Sequence, residues 1–133
     1  MKREVHVVGG AVCRDDRVLA ARRSPTMAHP GLWEVPGGKV ERGEAAEDAL
    51  IRELEEELAL TVHVGPLIGT SRFETADRVL RLDVYWCTSA PNATVTLTEH
   101  TEARWVTVAE LLELEWAPAD VPIVAMIAAD GLP

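Results

Sequence analysis

The sequence predicts an α+β fold: a mixed β-sheet carrying one long helix and one or two shorter ones, in an α/β/α sandwich. Three observations carry this expectation. The chain has 133 residues, 47% hydrophobic and 26% charged, a size and balance suited to one domain with one core. Short apolar segments bounded by turn residues recur along most of its length, as strands do. Only one long stretch, near the middle, has helical composition and period.

Taken in order, Val5–Cys13 and Val18–Ala21 read as two strands of a hairpin around Arg14-Asp15-Asp16-Arg17. Arg22–Gly31 is polar and ends in Pro30-Gly31, so it is a loop. Leu32–Val35 is a short strand, broken by Pro36-Gly37-Gly38. A helix is expected from about Glu44 to Leu58, where Ala45, Ala46, Ala49 and the leucines are good helix formers. At 100° per residue, Leu50, Ile51, Leu54 and Leu58 gather on one side, and Glu53, Glu56 and Glu57 on another. Val62–Val64, Ile68–Phe73, Val79–Thr88 and Arg104–Val108 follow as strands. A short helix runs from Thr107 or Val108 to Leu114, and a last helix spans Pro118–Ala129, with Pro122 an irregularity.

Charge narrows the function. A formal net charge of −9 argues against broad binding to a nucleic-acid backbone, which needs Lys and Arg to displace counterions. No segment approaches the ~20 apolar residues of a membrane helix. Glu4 and His6 interrupt the first apolar segment, so it is a strand and not a signal sequence. Cys13 and Cys87 have no metal-type partner nearby and read as reduced core residues, so a cytoplasmic location is expected. The carboxylates Glu53, Glu56 and Glu57 stand at i, i+3 and i+4, where like charges repel. Alone, that stripe fits a solvated acidic face as well as a site for a hard cation such as Mg²⁺ or Mn²⁺.

The residues around the stripe decide more. Gly38 is followed after five residues by Glu44, and after seven more by Arg52-Glu53-Leu54-Glu55-Glu56-Glu57-Leu58-Ala59-Leu60. This resembles the signature of the Nudix family, Gly-x5-Glu-x7-Arg-Glu-U-x-Glu-Glu-x-Gly-U, where U is aliphatic. Eight of nine constrained positions match, and Ala59 replaces the glycine. The approach Gly31–Glu41 and the segment Trp116–Pro122 are similar to the MutT-like branch, especially to CTP pyrophosphohydrolases and enzymes that remove oxidised nucleotides. The likeness covers nearly the whole chain.

The resemblance implies a loop–helix–loop catalytic motif. It implies Mg²⁺, or Mn²⁺, held by Glu53, Glu56, Glu57 and the Gly37 carbonyl, with the glycine pair leaving room for that carbonyl. Arg52 is expected to orient a neighbouring carboxylate. Glu44 either braces the loop or supports an outer metal; otherwise it is a first-turn helix residue that suits the dipole. Glu99, six residues before Trp105, matches a loop carboxylate that binds metal or helps deprotonate water; otherwise it is an exposed loop residue. Arg23, or Arg22 if the register slips by one, and Lys39 are candidate phosphate contacts. Gly38, Val35, Phe73, Val7 and Asp120 are expected around the base. Asp120 serves either as the group that reads the base or as a helix cap. None of His6, His29, His63 and His100 has ligand-like spacing, and none is given a role. Ala59 just past the helix implies a left-handed residue without glycine, at a cost of ~1 kcal/mol.

The implied activity is metal-dependent hydrolysis of a nucleoside triphosphate to a monophosphate and pyrophosphate, with water attacking the β-phosphorus. Cytosine nucleotides or 8-oxo-dGTP are the expected substrates, and the enzyme a monomer or homodimer. Two alternatives stay open. Hydrolases of ADP-ribose or dinucleotides often carry extra N-terminal structure, whereas here the first strand starts almost at once. Non-catalytic Nudix modules that only bind a base tend to lack the full carboxylate set.

Overall fold

The computed structural model describes residues 2–133. A mixed, seven-stranded sheet is built around β1 (Arg3–Arg14). Along one edge β1 pairs in parallel with β6 (Arg78–Thr88) over Arg3–Cys13, and β5 (His63–Glu74) lies antiparallel beyond it. On the other edge β1 takes two partners in succession: β4 (Gly37–Lys39) opposite Val7–Gly9, then β2 (Arg17–Arg22) opposite Cys13 and Arg14. Ala21 of β2 pairs with both Glu34 of β3 (Trp33–Glu34) and Ala103 of β7 (Glu102–Val106), so those two strands flank β2.

The near-continuous apolar run of β1 is explained by burial on both faces, with side chains alternating between them. Val8 and Val12 face α1 (Ala46–Leu58), whose Ala49, Leu50, Leu54 and Leu58 close one core. Ala11 faces the other side, where Leu82, Val84 and Val106 meet Leu111 of α2 (Val108–Leu111) and Ile123, Val124 and Ile127 of α3 (Val121–Asp130). Each fully buried leucine contributes about 1.5–3 kcal/mol. The α/β/α sandwich expected from the sequence is the observed one.

Several boundaries differ for physical reasons. Gly37-Gly38 does not break the sheet but forms β4. Ile51 is 38% exposed and leaves the core stripe, although on the helical wheel it lies only about 20° from the buried Leu58. Glu44 precedes the helix, which begins at Ala46. The expected strands 62–64 and 68–73 are one strand, β5, with register shifts between Val64 and Leu67 and between Leu67 and Gly69. Strand β7 starts and ends two residues early, because Thr107 turns the chain with a reciprocal capping box to Glu110. The last helix is two pieces, a 3-10 turn at Pro118–Asp120 and then α3. Pro122 sits in the first turn of α3, where a missing N–H costs nothing. Ala59 caps α1 at φ 52° and ψ 37°, the left-handed conformation expected there, and Leu60 N–H donates back to the Leu54 carbonyl.

Candidate active site

The glycine pair is demanded by its neighbours. A Cβ on Gly37 would lie 1.9 Å from the Val8 carbonyl oxygen, and one on Gly38 would lie 2.3 Å from the Glu53 carboxyl. Gly37 lacks a side chain because β1 passes so close. Gly38 lacks one to make room for Glu53.

Arg52 is the hub of the acidic loop–helix. Its Nε and Nη2 donate to the two oxygens of Glu44, both at 2.9 Å. Its Nη1 donates to Glu53 Oε1 at 2.9 Å and to Glu56 Oε2 at 3.4 Å, and Nη2 also reaches the Lys39 carbonyl at 3.1 Å. Glu44 in turn accepts from Glu41 N–H at 3.0 Å. The Arg52 hydrogen bonds, then that N–H, hold its carboxyl down at about 2. Glu44 thus braces the loop, and the first-turn alternative falls because it lies outside α1.

The other carboxylates are held differently. Burial pushes the Glu53 carboxyl up even though Arg52 opposes it. Burial also pushes Glu57 up to about 7; His100 opposes the shift, and Glu34, Glu53 and Glu99 add to it. Glu57 Oε2 is buried and has no hydrogen-bond partner. Among the described residues, no three acidic, imidazole or thiol side chains already converge on one point. The donor set nonetheless fits a divalent cation: the oxygens are hard, one is orphaned, and Gly38 leaves the Glu53 carboxyl a cradle. Glu99 is exposed on the loop before β7, and its neighbour Thr98 donates to the Glu57 carbonyl at 3.1 Å.

A cleft of about 360 Å³ opens beside these groups, on the α3 side of β1. Of the α1 carboxylates, only Glu57 lines it. Lys39, Gly37, Gly38 and Arg23 share that wall, while Val7, Val35, Phe73 and Asp120 belong to the apolar part. Of the two candidate arginines, Arg23 lines the cleft and Arg22 does not. Arg22 turns away, donating to the Gly31 carbonyl at 3.0 Å and lying 6.0 Å over Trp33. The Phe73 ring meets His29 edge-on at 6.0 Å, so His29, given no role from the sequence, is part of the wall.

Asp120 closes the apolar end. It is only 6% exposed, and its Oδ2 accepts from Val35 N–H at 2.9 Å. Its side chain makes no cap on α3, so that reading is set aside. Burial pushes this carboxyl up to about 8, with the Val35 N–H opposing. Backbone bonds from Trp33 N–H to the Glu115 carbonyl and from Ala117 N–H to the Trp33 carbonyl, each 2.8 Å, dock this segment on β3.

Two buried residues escaped the sequence reading. Glu34 accepts from Arg23 Nη1 on one oxygen and pairs with His100 Nε2 at 2.9 Å on the other. The one available signal was an acid inside an otherwise apolar strand, Leu32-Trp33-Glu34-Val35. Nothing in the spacing marked His100. A third histidine, His6, pairs with the buried Asp83 at 2.6 Å, away from the cleft.

A NUDIX domain model matches residues 4–127. The chain belongs to the Nudix hydrolase family. This Nudix chain is 35% identical over 119 residues to the CTP pyrophosphohydrolase of Escherichia coli K12, covering 90% of this chain and 87% of that one. It is 41% identical over 118 residues to a putative 8-oxo-dGTP diphosphatase 2 of Mycobacterium tuberculosis H37Rv, covering 86% and 81%. Among solved structures, a MutT protein of methicillin-resistant Staphylococcus aureus 252 aligns at TM-score 0.80 and 43% identity, over 98% of this chain and 100% of that one. Nudix hydrolases generally use divalent metals, in keeping with the donor set around Glu53 and Glu57. No helix among the described residues is long and apolar enough to cross a membrane.

Proposed function

We propose that the protein is a divalent-metal-dependent nucleoside triphosphate pyrophosphohydrolase that takes cytosine nucleotides or 8-oxo-dGTP, producing a nucleoside monophosphate and pyrophosphate. One observation carries this reading: a single cleft is lined by the Glu57 carboxylate, by the cations Arg23, Lys39 and Arg78, and by apolar side chains around the buried Asp120. A polyanion needs the cations and a heterocycle the apolar lining.

Glu53, Glu56, Glu57 and Glu99 would hold Mg²⁺ or Mn²⁺, with the Gly37 carbonyl. The metal supplies neutralisation of phosphate charge and a more acidic water. Arg52 holds Glu53 and Glu56 in place, Arg23 and Lys39 meet phosphate oxygens, and Glu99 receives the proton of the attacking water. Val35 and Phe73 enclose the base. Asp120 keeps a proton at neutral pH, because burial raises its carboxyl to about 8. One oxygen then donates to cytosine N3 while the other accepts from the exocyclic amine. Once ionised it only accepts, which suits the N1–H and amine of 8-oxoguanine. Thymine and uracil offer one imide N–H between two carbonyls and fit neither state well. The relatives named for CTP and 8-oxo-dGTP support the same pair of bases. The two thiols, Cys13 and Cys87, are free, and the cytoplasm with its nucleotide pool is the compartment we assign.

The test is a panel of CTP, dCTP, 8-oxo-dGTP, TTP, UTP and ADP-ribose with Mg²⁺, with and without EDTA. We expect pyrophosphate release from the first three, abolished by EDTA. In ¹⁸O water the label should enter pyrophosphate, since attack at the β-phosphorus leaves the bridging oxygen on the monophosphate. Turnover of ADP-ribose alone, or none at all, would reject the proposal.

A further inference from the structure

We propose that His100 is a positioning residue for substrate binding: through Glu34 it fixes Arg23 and the Glu34–Val35 peptide that orients Asp120. The inference rests on the nucleotide-hydrolase reading above and adds a residue that neither the family signature nor the resemblance assigns.

The geometry comes from three neighbouring strands. β3 and β7 flank β2, so the same end of the sheet brings together Glu34 on β3, Arg23 just past β2 and His100 just before β7. Thr101 N–H donates to the Arg22 carbonyl at 3.1 Å and anchors the His100 backbone there. The His100 side chain has no exposed surface, and Glu34 is 9% exposed. Both Glu34 oxygens accept: Oε1 from Arg23 Nη1, and Oε2 from His100 Nε2 at 2.9 Å. The proton of the imidazole therefore lies on Nε2, toward Glu34. Nδ1 is buried without a partner, so this nitrogen adds no bond that would hold the ring for another purpose.

Glu34 is where the two ends of the cleft meet. Its carboxylate holds the guanidinium of Arg23, which lines the phosphate wall. The next residue, Val35, donates its N–H to Asp120. Without His100, Glu34 Oε2 loses its donor inside the protein, where a bare carboxylate oxygen is costly. The side chain then shifts to find another donor, and Arg23 moves with it. None of these groups bonds to the Glu53–Arg52–Glu44 cluster, and His100 and Glu34 act on Glu57 only through charge, so the loss should appear in binding and base choice more than in the chemical step.

The experiment is steady-state kinetics with Mg²⁺–dCTP and Mg²⁺–TTP for the unmodified enzyme, His100→Leu, His100→Gln and Glu34→Gln. Gln places an amide N–H near the position of Nε2, whereas Leu offers no donor. We expect His100→Leu to raise KM for dCTP by about 10-fold and to narrow the dCTP-over-TTP preference, with kcat within about 3-fold. His100→Gln should keep KM within about 3-fold of the parent. Glu34→Gln should raise KM as His100→Leu does, and the double variant should be no more than about 2-fold worse than the weaker single, because members of one row are not additive. Unchanged KM and base preference in His100→Leu would overturn the inference, as would multiplicative effects in the double variant. If the leucine chain does not fold, Glu34→Gln decides, and an unaltered KM overturns the inference. Failure of the unmodified enzyme to hydrolyse any nucleotide is a separate result, which removes the hydrolase reading and this inference together.

Discussion

The two ends of the cleft use the same functional group in opposite ways. Around α1, Glu44 just before the helix and Glu53 and Glu56 on it share Arg52, and the Glu44 carboxyl is held down at about 2 by that guanidinium and a backbone N–H. At the far end Asp120 has one N–H donor and almost no solvent, and its carboxyl rises to about 8. A hard cation binds charged oxygens: Arg52 opposes the burial that raises Glu53, and Glu57, raised to about 7, would be held charged by the cation itself. Discrimination between bases, the role we propose for Asp120, needs a group that both donates and accepts, and burial keeps the proton that donates. What separates the two roles is the environment of the carboxyl, not its identity.

The largest effect expected from breaking the first end is on turnover. Glu53→Gln or Glu56→Gln keeps shape and removes ligand charge, so kcat should fall by about 10²-fold or more with the fold intact. Near-normal turnover of Glu56→Gln at limiting Mg²⁺ would dissolve the proposed difference between the ends. Breaking the second end should act on binding instead: Asp120→Ala should raise KM for dCTP by about 10-fold with a smaller change in kcat, and erode the preference over TTP. A kcat loss with KM unchanged would move Asp120 into the chemistry.

The proton on Asp120 gives a finer test. Its carboxyl is raised above its unfolded value near 3.8, so the folded chain holds a proton that the unfolded chain has released. The stabilising contribution is full below about pH 4 and is lost as pH rises through about 8. Metal-free protein should therefore lose Tm across that window, and Asp120→Asn should flatten the loss. The ratio of dCTP to 8-oxo-dGTP turnover should fall over the same upper range. A ratio flat to pH 9 would mean that proton does not set base choice. The smallest effect concerns Ala59→Gly, which relieves a left-handed alanine at φ 52°. It should stabilise the chain by about 1 kcal/mol in chemical denaturation and leave turnover within about 3-fold.

What the sequence disclosed follows the range of the interactions. The α1 stripe, the Ala59 cap and the Gly38–Glu53 pattern lie within one short stretch of chain; periodicity found the stripe, and the resemblance to the family signature found the other two. Glu34 with His100, separated by 66 positions, and Val35 with Asp120, by 85, are joined only by the order of strands, so no local pattern exposed the first pair. Asp120 was found through resemblance, and its two readings were separated only when the side chain proved to bond Val35 and not α3. Gly37-Gly38 read as a break because glycine disfavours strands in general. The closeness of Val8 that requires glycine there lies on a strand 29 positions earlier. Ile51 shows the limit of the helical wheel, which places a residue by angle without knowing how wide the buried face is.

The docking of Trp33 onto Glu115 and Ala117 carries a consequence for how the molecule assembles. Most of the proposed metal-binding groups lie in one stretch from Gly37 to Glu57, which Arg23 and Glu99 join from either side. The base pocket exists only when the last quarter of the chain returns to strand β3, a closure that costs more chain entropy and comes later. During folding the catalytic helix and its loop can thus be in place while Asp120 is still free. In the native state the amides of Trp33, Val35 and Ala117 should open together, as one cooperative unit, without unravelling α1. On the proposed reading, base selectivity is then the property that local unfolding removes first.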